Sequence, residues 1–223
     1  MLIRVDDFPS GSDSTPLPMD ESTVSKYYND VLKFYSIVRA PFLLGVVPGM
    51  LSSKWIEALQ SLPDLELGVH GLTHRRGEFP SCAELEPKTM LSALTQSRML
   101  MSTKVFVPPF NHLNNYLLRR LRDAGYVAVC TGPETDWDTS LDFYGMMKVD
   151  STWYGHASEI HPQIDRSVLD MSDTACLTLH LPWEAPEGFV DLQYLMDKIK
   201  GIGVPIAKWS TVIGGLDESL HVL

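Results

Sequence analysis

The sequence predicts an α/β fold built on a largely parallel sheet, and three observations lead there. Short apolar runs alternate with amphipathic stretches along the whole chain, as repeated β/α units require. Several runs end in an ionisable residue: Asp6 and Asp7 after Met1 to Val5, His70 and His74 after Leu65 to Val69, and His180 after Cys176 to Leu179. Parallel sheets carry rigid backbone to one rim, where side chains placed just past different strands converge. The length, 223 residues, lies in the range where an α/β barrel or sandwich stays one domain, and a single domain over 1–223 is expected.

Strands are expected over residues 2–5, 42–47, 65–69, 104–107, 127–131, 146–149, 176–180 and 204–208, because each is a short apolar or β-branched run. Residues 22–37 place Val24, Tyr27, Tyr28, Val31, Leu32 and Tyr35 at three-to-four spacing, which predicts a helix with one buried face. Ser81-Cys82-Ala83-Glu84 has the form of a capping box, and a start near Pro87 is equally well supported; the helix then continues from Met90 to Met101. A helix over 115–124 stops at Gly125, and another covers 189–202. Residues 9–18, rich in Ser, Pro and Asp, read as a surface loop beside the rim.

Composition excludes several function classes. A formal net charge of -10 argues against nucleic acid and anionic membrane surfaces, both of which need a clustered positive field. Arg75-Arg76 and Arg119-Arg120-Leu121-Arg122 are too short to supply one. Cys82, Cys130 and Cys176 lack metal-type spacing and are expected as free thiols, the last two buried in strands. No stretch has the form of a signal peptide or a membrane span, so a cytoplasmic protein is expected.

The chemistry rests on residue types. Asp6-Asp7 offers two adjacent carboxylates, which a turn at the strand end can bring to one centre, one as metal ligand and one as base. An isolated pair of this kind is most often a solvated loop start. His70-Gly71-Leu72-Thr73-His74 has the HxxxH spacing suited to Zn²⁺ or a related divalent ion, with Gly68 and Gly71 favouring a tight turn over a regular helix. A metalloprotease would need Glu next to the first His, and Gly71 stands there. His180, taken alone, fits a satisfied structural histidine.

Taken in order, Asp6-Asp7, HxxxH, Val107-Pro108-Pro109-Phe110, Asp136-Trp137 and Leu177-Thr178-Leu179-His180 resemble the NodB-homology polysaccharide deacetylases, carbohydrate esterase family 4. The resemblance runs from Ile3 to about Thr211. It implies a distorted (β/α)7-type barrel and metal-dependent removal of an N-acyl group, usually acetyl, from an amino sugar or glycan precursor, here in making a surface polysaccharide. Carried over by residue, Asp7, His70 and His74 are implied as metal ligands, Asp6 as base and His180 as acid. Phe110 would offer its N–H to the oxyanion, and Trp137 would pack near the acid and base. Zinc is the expected metal, with Fe, Co, Ni or Mn also suited to this donor set.

Two departures stand out. Phe8 occupies the usual Gly position after the Asp pair, and Val107 stands where the third motif normally opens with Arg. Asp136 thereby loses its expected cationic partner. Arg4, two residues before Asp6 and on the same strand face, is a candidate replacement. Other readings are a metal-dependent hydrolase of a small non-sugar amide or an O-acyl ester, and an inactive relative that binds metal or glycan.

Overall fold

The computed structural model describes residues 1–9, 17–74, 87–132, 140–165 and 175–217. Its centre is one all-parallel sheet of eight strands: β1 (Leu2–Phe8), β2 (Phe42–Val46), β3 (Leu65–Val69), β4 (Val105–Phe106), β5 (Ala128–Thr131), β6 (Met147–Asp150), β7 (Trp153–Tyr154) and β8 (Cys176–His180). The order across the sheet is β6-β5-β4-β3-β2-β1-β8-β7. Only Ser151 and Thr152 separate β6 from β7, so a single passage of chain lies along both outer edges. Its first half pairs with β5 and its second half with β8. Ser151 joins the two edges: its N–H and hydroxyl both reach Thr131 O of β5 (3.1 and 2.8 Å), and its Oγ lies 2.7 Å from Thr178 Oγ1 of β8. With β6 and β7 taken as one strand, the sheet closes into the seven-membered ring of a distorted (β/α)7 barrel.

Strands β1 to β5 and β8 are buried on nearly every residue, which explains their largely apolar sequences, whereas Lys148 and Asp150 of β6 are exposed. Ile3, Val5, Leu44 and Val46 face the helical layer, whereas Leu2, Leu43, Val105, Val107, Cys130 and Cys176 fill the interior. That layer includes α1 (Glu21–Val38), α2 (Ser53–Gln60), α3 (Pro87–Leu100), α4 (Asn115–Asp123), α5 (Ala157–Ile160), α6 (Leu181–Glu184) and α7 (Val190–Ile202). Asp20 caps α1 by accepting from Thr23 N at 2.9 Å, and Asn114 caps α4 by accepting from Leu117 N at 2.8 Å. Gly125 follows α4 with φ +84°, the left-handed turn expected of a helix stop. The end of the barrel where the strands begin is closed by α8 (Trp209–Asp217): Trp209 is fully buried, its indole N–H donates to Ile3 O at 2.9 Å, and Glu66 accepts from the N–H groups of Trp209 and Ser210.

One expected strand is corrected. Residues 204–208 form no strand; their backbone bonds run to Met1, with Ala207 N donating to Met1 O and the Met1 ammonium to Pro205 O, both at 2.9 Å. Pro205 lacks the N–H that a ladder would need. The two-residue β7 and the short helices α2, α5, α6 and α8 have no matching expectation: α2, for example, buries only Ile56 and Leu59, too few to mark a face. Cys82, Ser81 to Glu84, Arg75-Arg76, residues 218–223 and most of the loop at 9–18 lie outside the described residues. Cys130 and Cys176 are buried free thiols. No described helix is long and apolar enough to cross a membrane.

Candidate functional site

The end of β1 departs from regular geometry where its carboxylates begin. Pairing with β2 is in register through Val5 and shifts before Phe8, and Asp7 has φ +67°. A non-glycine residue in the left-handed region is strained and persists only where surrounding contacts hold it. The irregularity lets both neighbours reach one centre, as Asp6 lies on the interior face beside His180 of β8 and Asp7 approaches the histidines.

His70 leaves the end of β3, and Gly71 with φ +67° turns the chain so that His74, itself at φ +55°, returns toward it. Residues 70–74 are not helical. His70 Nδ1 lies 3.0 Å from Val107 O, which can only accept, so the proton sits on Nδ1. His70 Nε2 and His74 Nε2 then approach the same Asp7 oxygen, Oδ1, at 3.0 and 2.9 Å. With its Nδ1 protonated, a neutral His70 would turn a bare Nε2 lone pair toward the carboxylate, so this contact needs a proton or a metal ion between them. Oxygen and nitrogen donors of this kind, within 4.8 Å of one another, fit a divalent ion with open positions.

Without metal, the pair is held by charge. Burial pushes Asp7 upward, yet hydrogen bonds to His70 and His74 overcome it and hold the carboxyl well below its usual range. Burial works against charge on His70, and the Asp7 hydrogen bond, the charges of Asp6 and Asp7 and the Val107 carbonyl together more than offset it, raising His70 above its ordinary 6.5. The stabilisation from His70 is therefore full below about pH 6.5 and is lost as pH rises through its higher folded value. Asp7 contributes above its unfolded value near pH 4 and loses that only in stronger acid. In a chelator, the Tm gap between wild type and Asp7→Asn should be widest at about pH 5 to 6 and narrow by about pH 9; a gap independent of pH would contradict this arrangement.

Arg4 is fully buried inside the barrel. Its guanidinium lies 2.9 Å from Asp6 Oδ2 and donates to Thr131 O on β5 at 3.3 Å. Burial opposes its charge, and the surrounding groups, the Asp6 carboxylate foremost, together more than restore it, so Arg4 stays protonated. Asp6 Oδ1 has no hydrogen-bond partner among the described residues. Gly45 makes room for it: a Cβ there would stand 3.2 Å from Asp6 Oδ1 and 3.4 Å from His70 Cβ. Val107 is wholly buried in the interior apolar cluster and contributes its carbonyl, not a charge, to the site.

His180 is nearly buried, pairs in register with Asp6 across β1 and β8, and stacks on Trp183 with ring centroids 3.9 Å apart and planes 26° apart. Tyr154 packs edge-on against it at 4.8 Å. Burial lowers the His180 pKa, with Asp6 and Asp7 pushing the other way. Burial raises the Tyr154 phenol to about 12, so it stays protonated; Asn111 Nδ2 donates to its oxygen at 3.4 Å. Phe110 adopts φ +54°, and its ring lies 4.7 Å from that of His74.

The structure thus gathers Arg4, Asp6, Asp7, His70, His74, Phe110 and His180 at one mouth of the barrel. Asp136 and Trp137 lie outside the described residues. Tyr154 and Trp183 were missed in the sequence, although Trp183 stands three residues past His180 in the same run.

No family model matches the chain, and no curated protein matches it in sequence. Solved structures do match. A candidate polysaccharide deacetylase from Mycobacterium smegmatis superposes with a TM-score of 0.63 at 14% identity, over 89% of this chain and 82% of that one. The fold is that of carbohydrate esterase family 4. A family 4 acetyl xylan esterase from Clostridium thermocellum, solved with a cobalt ion, gives 0.59 at 14% identity over 94% of this chain and 88% of that one. A family 4 pseudoenzyme from Bacillus anthracis gives 0.56 at 11% identity over 95% of this chain and 64% of that one. The family 4 fold accounts for the seven-membered ring and for a mouth built from strand ends.

Proposed function

We propose that this chain is a divergent, metal-dependent family 4 hydrolase that removes an N-acyl group, usually acetyl, from an amino sugar or glycan precursor. The observation that carries the reading is the convergence of His70 Nε2 and His74 Nε2 on Asp7 Oδ1 beside a second carboxylate, Asp6, with one oxygen unengaged. Asp7, His70 and His74 would hold a divalent ion, zinc by donor type, which polarises the acyl carbonyl and makes bound water more acidic.

The chain's own residues divide the remaining work. Asp6 Oδ1 takes the proton of the attacking water, while Arg4 on Oδ2 fixes the orientation of the carboxylate. The Phe110 N–H donates to the oxygen of the tetrahedral intermediate, a contribution of roughly 3 to 4 kcal/mol for a well-aimed donor. His180 delivers a proton to the departing sugar nitrogen, with its ring plane set by Trp183 and Tyr154. Acetate and a free amine leave.

Acetate release from N-acetylglucosamine oligomers, assayed beside acetylated xylan with added Zn²⁺ or Co²⁺, tests the reading. Release from the first supports amide hydrolysis, release from xylan alone would move the assignment to O-esters, and release from neither would favour an inactive relative. His74→Ala should lose most of its bound metal and its activity, since two donors remain of three. Undiminished metal content by elemental analysis would remove His74 from the ligand set.

A further inference from the structure

A second group of potential ligands stands apart from Asp7, His70 and His74. His156, Glu187 and Asp191 place their ligand atoms within 4.8 Å of one another. They come from different parts of the fold: His156 caps α5 just past β7, Glu187 lies in the turn after α6, and Asp191 is in the first turn of α7.

Behind them sits Glu184, only 1% exposed. One of its oxygens, Oε1, accepts from Ala157 N at 2.9 Å, while Oε2 is buried without any hydrogen-bond donor and faces His156 Nε2 at 3.6 Å. Glu187 Oε2 lies 3.9 Å from that same nitrogen. Both separations exceed a hydrogen bond. They approach the distance between two ligands of one ion, about 3.3 to 3.6 Å when each bond is about 2.0 to 2.2 Å. Among the described residues no Lys or Arg pairs with Glu184, Glu187 or Asp191, and Glu184 and Glu187 share one imidazole as their ion-pair partner. A buried carboxylate oxygen left without a donor is costly and is relieved by a proton or by a cation.

We propose that His156, Glu187 and Asp191 form a second divalent-cation site, with Glu184 supplying negative charge from beneath. The donor set, one imidazole and carboxylates, suits Zn²⁺, Co²⁺ or Ni²⁺. The ion joins the segment that follows β7, and hence Tyr154, to the turn that follows β8, and hence His180 and Trp183. It acts as a clip on the frame around the mouth of the barrel and takes no part in the reaction.

Zn²⁺ titration of the full chain by calorimetry tests this without reference to activity. Wild type should bind two ions and His74→Ala one. Adding Glu187→Gln to His74→Ala should weaken the remaining site by more than about tenfold. Glu187 has a side chain 63% exposed, so the change leaves folding intact. Zn²⁺ should also raise the Tm of His74→Ala and not that of the double variant. If His74→Ala binds no Zn²⁺, or if Glu187→Gln and Asp191→Asn both leave its binding unchanged, the second site is refuted, while the Asp7, His70 and His74 assignment stands or falls on the wild-type titration alone.

Discussion

Asp6→Asn is expected to lower kcat by about 10²- to 10⁴-fold while bound metal remains at the wild-type level. The amide keeps the shape of the carboxylate but cannot take the proton of the attacking water. Asp6 contacts Arg4 and lies beside His180, and it is not among the three residues whose ligand atoms converge. Metal content and turnover should therefore separate, which distinguishes a base from a ligand. The change also leaves Arg4 buried without its counter-charge, so the variant should melt earlier, and rates must be measured below that Tm. Wild-type turnover in Asp6→Asn would sink the base assignment.

Arg4→Met should be the most destabilising change in the site, at about 3 to 5 kcal/mol, because it leaves a buried carboxylate without its partner. The methionine fills most of the stem's volume, which isolates the loss of charge. With the guanidinium gone, Asp6 also loses the contact that orients its carboxylate, so kcat should fall together with Tm. Thermal melts and turnover at neutral pH check both. A wild-type Tm and kcat at neutral pH would leave Arg4 without a role in holding Asp6.

Much of this was legible in the sequence because parallel strands carry clear apolar signals and put their chemistry at their ends. Strand alternation made Arg4 a candidate, since i and i+2 share a face, but only the structure shows that Arg4 and Asp6 both point inward. What sequence could not supply was the backbone that makes two neighbours share one centre. The left-handed Asp7 is unsignalled by its residue type, since a glycine is the usual mark of such a turn. Closure was hidden for a different reason. β6 and β7 are one extended passage split between two partners, and no local pattern in residues 147–154 tells which edge each half will meet. Trp183 and Tyr154 escaped because an aromatic residue near a strand end is as often packing as function, and only the ring geometry around His180 separates the two.

The buried charge pair has a consequence for how this protein can be recombined. In the pattern it resembles, the arginine sits in the third motif, so base and cation are inherited on separate stretches of chain. Here Arg4 and Asp6 lie within three consecutive residues of β1. A chimaera that replaces everything from β3 through β5 with the matching stretch of a relative would keep the pair intact and, if that stretch brought its own third-motif arginine, would place two guanidinium groups in one barrel. Donor stretches with an apolar residue at the Val107 position should be accepted. Those with arginine there should be rejected unless Arg4 is made neutral in the same step.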